Sequence, residues 1–139
     1  MNPRITPDDI QSLPPNAVYV YPSNLAGRNT SIYAKLAELR FGAKYGKFYG
    51  ASGQSFAIPI IDKDMHEKLS LAKISRYIAK FIDEALEHSR KTYYCVGFDS
   101  GGIGCWPIWA LAPLFMGCID IPNIYLPRKI WESMNEEVQ

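Results

Sequence analysis

Two glycine-bearing segments hold residue types that could recognise a charged small molecule. In Asn24-Leu25-Ala26-Gly27-Arg28-Asn29 and in Asp99-Ser100-Gly101-Gly102-Ile103-Gly104-Cys105-Trp106, turn formers follow a strand-favouring run and precede a helical pattern. Glycines at 101, 102 and 104 let the backbone approach a ligand, so that N–H groups and a following helix N-terminus can face a phosphate. Arg28 adds a planar fork suited to phosphate or carboxylate. Asn24 suits either a ribose or base contact or the closing of its own turn. Asp99, the only carboxylate of the second segment, suits orienting a water or a ribose hydroxyl, or an Asx turn. Neither segment matches GxGxxG or GxxxxGK[ST], so tight turns in a packed domain are the competing reading.

Other chemistry has less support. Cys105 has no histidine near it in sequence to act as a base, which favours a small packed side chain over a nucleophile. His66 falls in a polar loop and His88 at a helix end, where its charge would suit the helix dipole. Cys95, Cys105 and Cys118 form no CxxC pair, and neither histidine stands at zinc-ligand spacing from them. No metal site or cofactor is expected, and spacing identifies neither a carboxylate pair nor a nucleophile with its base.

The elements that must hold the two segments alternate in type. Residues 17–21 and 55–61 are short apolar runs that read as buried strands, with Pro59 limiting the second at its far end. Residues 92–97 and 123–126 read as a third and a fourth strand. Ile32, Leu36, Leu39 and Ala43 recur at helical spacing, predicting a helix over about 30–42. From Ser70, a suitable N-cap, Leu71, Ile74, Ile78, Phe81, Ile82, Ala85 and Leu86 make a wide apolar stripe opposite charged residues, the clearest helix in the chain. Residues 108–115 read as a buried helix. Before all this, residues 1–16 carry a Thr6-Pro7-Asp8-Asp9 start that predicts one short helical turn followed by a linker, leaving 17–139 as the main domain. Strands alternating with helices give an α/β fold, with a mixed, mostly parallel sheet and helices on both faces. In such folds ligands bind outside the carboxyl ends of the strands, which places residues 24–28 and 99–106 around one crevice.

Composition narrows the partners. The 139 residues are 47% hydrophobic and 21% charged, which suits one compact domain rather than a disordered chain. A net charge of +1 is too small for a phosphate-backbone binder, so no nucleic-acid partner is expected. The longest apolar stretch, 108–118, contains Pro113 and falls short of the ~20 residues of a spanning helix, so no membrane partner is expected either. An odd cysteine count and a Met-Asn-Pro-Arg start without a following apolar core lead to the expectation of a cytoplasmic protein.

Three groups of residues also carry a resemblance. They are Val18-Tyr19-Val20-Tyr21-Pro22-Ser23-Asn24-Leu25-Ala26-Gly27-Arg28, Phe41-Gly42-Ala43 with Gly53-Gln54-Ser55-Phe56-Ala57-Ile58-Pro59, and Gly101-Gly102-Ile103-Gly104 with Ala112-Pro113-Leu114-Phe115 and Asn123-Ile124-Tyr125-Leu126-Pro127. Together they resemble a small, mostly phage-borne family of non-structural proteins that is similar to macro domains. The resemblance implies a macro-like domain whose two loops wrap the diphosphate and distal ribose of ADP-ribose. It adds Gln54 and Ser55 as crevice candidates beside Asn24, Leu25, Ala26, Gly27, Arg28, Asp99, Ser100, Gly101, Gly102, Gly104 and Trp106. The chain departs from the family where Asn29-Thr30-Ser31-Ile32-Tyr33 replaces small residues, and Tyr33 and Trp106 put rings at the expected mouth, where an aromatic base could stack.

The resulting expectation is a non-catalytic binder of a nucleotide-derived small molecule, such as ADP-ribose or a cyclic nucleotide. For a phage protein this extends to sequestering an immune signal in the host cytoplasm. A macro-like hydrolase of ADP-ribose derivatives and a protein-interaction module are the alternatives, and a homo-oligomer is left open.

Overall fold

The computed structural model describes residues 3–65, 67–100 and 105–138. Five strands form one mixed sheet: β1 (Ala17–Asn24), β2 (Gly50–Ser52), β3 (Ser55–Ile61), β4 (Thr92–Cys95) and β5 (Ile124–Tyr125), in the order β2-β3-β1-β4-β5. β1 pairs in parallel with both β3 and β4, β4 pairs in parallel with β5, and β2 alone is antiparallel. The expected strands at 17–21, 55–61 and 92–97 are therefore immediate neighbours. The helices are α1 (Ile32–Arg40), α2 (Leu71–Glu87), α3 (Ile108–Leu111), continued by a 3-10 helix (Ala112–Cys118), and α4 (Arg128–Val138). Among the described residues no helix is long and apolar enough to cross a membrane.

Successive strand residues feed two separate cores, as the pleat requires. Val18 and Val20 join Phe56, Ile58, Tyr93 and Cys95 in a large cluster with Ile74, Ile78, Phe81 and Ala85 of α2 and Ile130, Trp131 and Met134 of α4. Tyr19, Tyr21 and Ala57 join a smaller cluster with Ala34, Ala37 and Phe41. Because β1 is buried on both faces, its residues 17–21 run apolar without alternation. Ser70 caps α2 as expected, its Oγ accepting from the Lys73 N–H at 3.2 Å. At the other end the His88 N–H donates to the Glu84 carbonyl at 3.1 Å, and its Nε2 lies 3.5 Å from the Glu84 carboxylate.

Several elements differ from expectation. α1 forms where expected, but it packs through Ala34 and Ala37, leaving Ile32 74% and Leu39 77% exposed. The buried rings of Tyr19 and Tyr21 fill the space beneath the helix, so small side chains let its backbone approach. Pro59 does not limit β3; it lies inside the strand, opposite Ser23. Residues 3–16 contain no helix. Instead Ile5 bridges in parallel to Leu126, and the Thr6 N–H donates to the Leu126 carbonyl at 2.9 Å while the Leu126 N–H donates to that of Arg4 at 3.1 Å. The start of the chain thus adds to the sheet next to β5, and this backbone pairing replaces the expected turn. β2 and α4 lie in segments where neither a strand nor a helix is expected.

Arg4 fastens this edge. Its Nε donates to the Ile124 carbonyl at 3.0 Å, its Nη2 to those of Ile119 and Cys118 at 2.7 and 3.2 Å, and its guanidinium lies 5.9 Å from the Trp131 ring centroid. A lysine cannot reproduce that fork. Arg4→Lys is expected to lower the unfolding free energy by about 1.5–3 kcal/mol in urea denaturation. The buried tyrosines set a second expectation. Burial, then Glu84, pushes the Tyr93 phenol up to about 12, and burial raises Tyr19 and Tyr21 in the same direction. An unfolded tyrosine ionises near ~10, so the unfolded chain loses its protons first. This contribution to stability is complete below pH ~10 and declines toward pH ~12, which urea midpoints measured across that window will show.

Candidate functional site

Parallel pairing puts the carboxyl ends of β1 and β4 side by side, and the two glycine segments leave the sheet there. The first is closed by Asn24, whose Nδ2 donates to the Arg28 carbonyl at 2.7 Å and whose Oδ1 accepts from the Arg28 N–H at 3.1 Å. The Gly27 N–H returns to the Asn24 carbonyl at 3.0 Å. The Asn24 amide therefore serves its own turn first. That turn presents Arg28, which is exposed. Leu25 is drawn inward, its N–H donating to the Ile61 carbonyl at 3.0 Å and its side chain packing on the large core.

Gly27 is required for a reason other than ligand approach. Its φ is +71°, its carbonyl accepts from the Gly46 N–H at 2.7 Å, and a Cβ here would stand 2.5 Å from the Gly46 carbonyl oxygen. The glycine lets two loops cross. In the second segment Gly97, with φ +78°, is the residue that turns the chain out of β4. The Ser100 N–H and Oγ–H both donate to the Gly97 carbonyl, at 3.2 and 2.9 Å. The Tyr33 ring lies on Gly97, where an added Cβ would meet Tyr33 Cδ2 at 2.6 Å. Gly101, Gly102 and Gly104, like His66, lie outside the described residues.

Two adjoining cavities result. A cavity of about 290 Å³ is lined by Ser23, Asn24, Arg28 and Thr30 on one side and by Ser100 and Cys105 of the second segment. A larger one, about 590 Å³, is lined by Thr6, Asp8, Asp9 and Gln11 of the N-terminal segment, by Tyr19 and Leu36, and by Asp99, Arg128 and Lys129. Ile32 and Tyr33 border both. The Tyr33 phenol is raised by burial and then by Asp99, and that of Tyr19 by burial and then by Tyr33, so both remain neutral donors at ordinary pH.

The structure thus brings Asn24, Arg28 and Ser100 together and places Asp99 in the neighbouring cavity. Leu25, Ala26 and Gly27 shape the first turn without lining either cavity. Trp106 is not at the mouth. Its Nε1 donates to the Leu69 carbonyl at 2.6 Å, its ring packs on the large core, and Lys68 Nζ stands 4.4 Å from the ring centroid. Gln54 and Ser55 lie at the wrong end of the sheet. β3 begins with Ser55 and reaches its carboxyl end at Ile61; Gln54 Nε2 donates to the Pro14 and Ala17 carbonyls, and Ser55 Oγ to that of Ser52. Both fasten loops where the chain enters the sheet. Cys95 and Cys118 are buried, and burial raises both thiols, that of Cys118 to about 12, which removes them as thiolate nucleophiles at neutral pH.

Compared with known protein families, curated proteins and solved structures, the chain gives no match. The site must be read from its own geometry.

Positive φ strains Gly27 and Gly46 alike once a side chain is added, but a Cβ at Gly46 meets nothing within 4 Å. Gly27→Ala is therefore expected to lower stability by about 1–3 kcal/mol and Gly46→Ala by clearly less, compared by thermal melting.

Proposed function

We propose that the protein holds a nucleotide-derived small molecule, such as ADP-ribose or a cyclic nucleotide, without turning it over. The phosphate-bearing part would occupy the smaller cavity. One observation carries this reading. Two loops leaving adjacent parallel strands at their carboxyl ends wall a single cavity, and that is where open α/β sheets bind ligands. Arg28 supplies an exposed guanidinium with a fork matched to phosphate oxygens. Tyr33 offers a ring at the border of the two cavities on which a base can stack.

In this reading the domain is macro-like, with helices on both faces of its sheet. The separate cores formed with α1 and with α2 support that arrangement. For a phage-borne protein, tight capture without turnover would sequester an immune signal in the host cytoplasm.

The test is a panel of ADP-ribose, cyclic ADP-ribose and cyclic dinucleotides, read by melting shift and followed by mass spectrometry of the recovered ligand. A shift with intact ligand is expected; a recovered hydrolysis product would instead make the protein a hydrolase. Arg28→Ala, losing one charge-assisted hydrogen bond, should weaken binding about ten- to a hundredfold in calorimetry. A correctly folded protein that shifts with no member of the panel sinks the reading.

A further inference from the structure

We propose that the larger cavity is a second binding site, for a small anion whose body carries hydroxyl groups, the chemistry shared by sugar phosphates and sugar acids. Its volume, about 590 Å³, lies within the usual range for small-molecule sites. Its lining offers unlike charges. Arg128 and Lys129, in the first turn of α4, line it, and so do Asp8, Asp9 and Asp99; Asp9 Oδ1 accepts from Gln11 Nε2 at 2.7 Å, yet among the described residues neither cation forms an ion pair with any of the three carboxylates. Two cations in a first turn add to the positive end of the helix dipole rather than offsetting it, an arrangement that favours an anion there.

The floor adds an independent observation. Tyr19 is 1% exposed and lines the cavity, and among the described residues its hydroxyl makes no hydrogen bond. The hydroxyl is left to the cavity, where a ligand oxygen can supply the partner that a tyrosine hydroxyl ordinarily finds. Tyr33 lines the same cavity and likewise donates to no described group. The cavity thus presents cations and phenol donors for oxygen acceptors, and carboxylates for O–H donors. A bare anion would engage the cations and leave the carboxylates to solvent, and a neutral sugar would do the reverse. A hydroxylated anion satisfies both.

This site is separable from the smaller cavity. Arg28, Asn24 and Ser100 do not line the larger one, and Asp99, Arg128 and Lys129 do not line the smaller. The test is calorimetry in phosphate-free buffer with ribose 5-phosphate and gluconate as probes, and with ribose and inorganic phosphate as controls. At least one probe should bind about tenfold or more tighter than either control, and which one does so tells a phosphate head from a carboxylate head. Asp99→Asn and the exposed double variant Arg128→Gln/Lys129→Gln should each weaken that probe about tenfold, and Tyr19→Phe about fivefold, with circular dichroism confirming the fold. Arg28→Ala should leave the probe's affinity unchanged. Probes binding no tighter than inorganic phosphate, or unchanged affinity in both the Asp99 and the Arg128/Lys129 variants, would overturn the proposal. Loss in Arg28→Ala alone would overturn it too, while leaving the nucleotide reading of the smaller cavity standing.

Discussion

Parallel pairing of β1 with β3 on one side and β4 on the other is the constraint on which the rest of this molecule depends. It buries both faces of β1, which is why residues 17–21 read as an unbroken apolar run and why two cores exist rather than one. It also fixes direction. With β1 and β4 pointing the same way, the turn closed by Asn24 and the turn begun by Gly97 emerge together, although more than seventy residues separate them in sequence. The cavities follow from that shared edge.

Much of the fold is legible in the sequence because the signals are strong and local. α2 shows an apolar stripe on one side, charge on the other and a serine cap at its start. β1, β3 and β4 are short runs bounded by turn formers. α1 misleads about its buried face because hydropathy ranks Ile and Leu above Ala, whereas over the buried tyrosines the fully buried positions of the helix are Ala34 and Ala37. β2 has three residues and little apolar content, and exists only because the antiparallel register with β3 pairs Ser52 with Ser55 across a two-residue turn. α4 could have been found: Ile130, Trp131 and Met134 follow Pro127 at helical spacing, and all three are buried.

The site divides along similar lines. Turn chemistry brings Asn24, Arg28 and Ser100 to the wall of one cavity, because each turn closes within a few residues of itself. Gln54 and Ser55 are misplaced because strand direction decides which end of a run meets the crevice, and composition carries no direction. Trp106 is misplaced because its ring answers to a distant core and to the Leu69 carbonyl rather than to its glycine neighbours. That Arg128 and Lys129 share a cavity with Asp8 and Tyr19 depends on the N-terminal segment meeting the start of α4, which no local pattern reports.

Pro59 has a bearing on how copies of this protein meet one another. Along β3 the backbone groups alternate in direction, and the Gln54 carbonyl accepts from Tyr19 of β1, so residues 56 and 58 face β1 while 57 and 59 face away. On that outer side β2 covers Ser55 to Ala57 and stops. The next outward position is Pro59, which has no N–H to donate. An intruding strand would find its ladder interrupted at the first open rung. An exposed sheet edge is a template for aggregation, and here Pro59 closes the gap between β2 and the next covered stretch, where Lys68 bridges antiparallel to Ile61 and the Leu69 N–H donates to the Ile60 carbonyl at 2.9 Å.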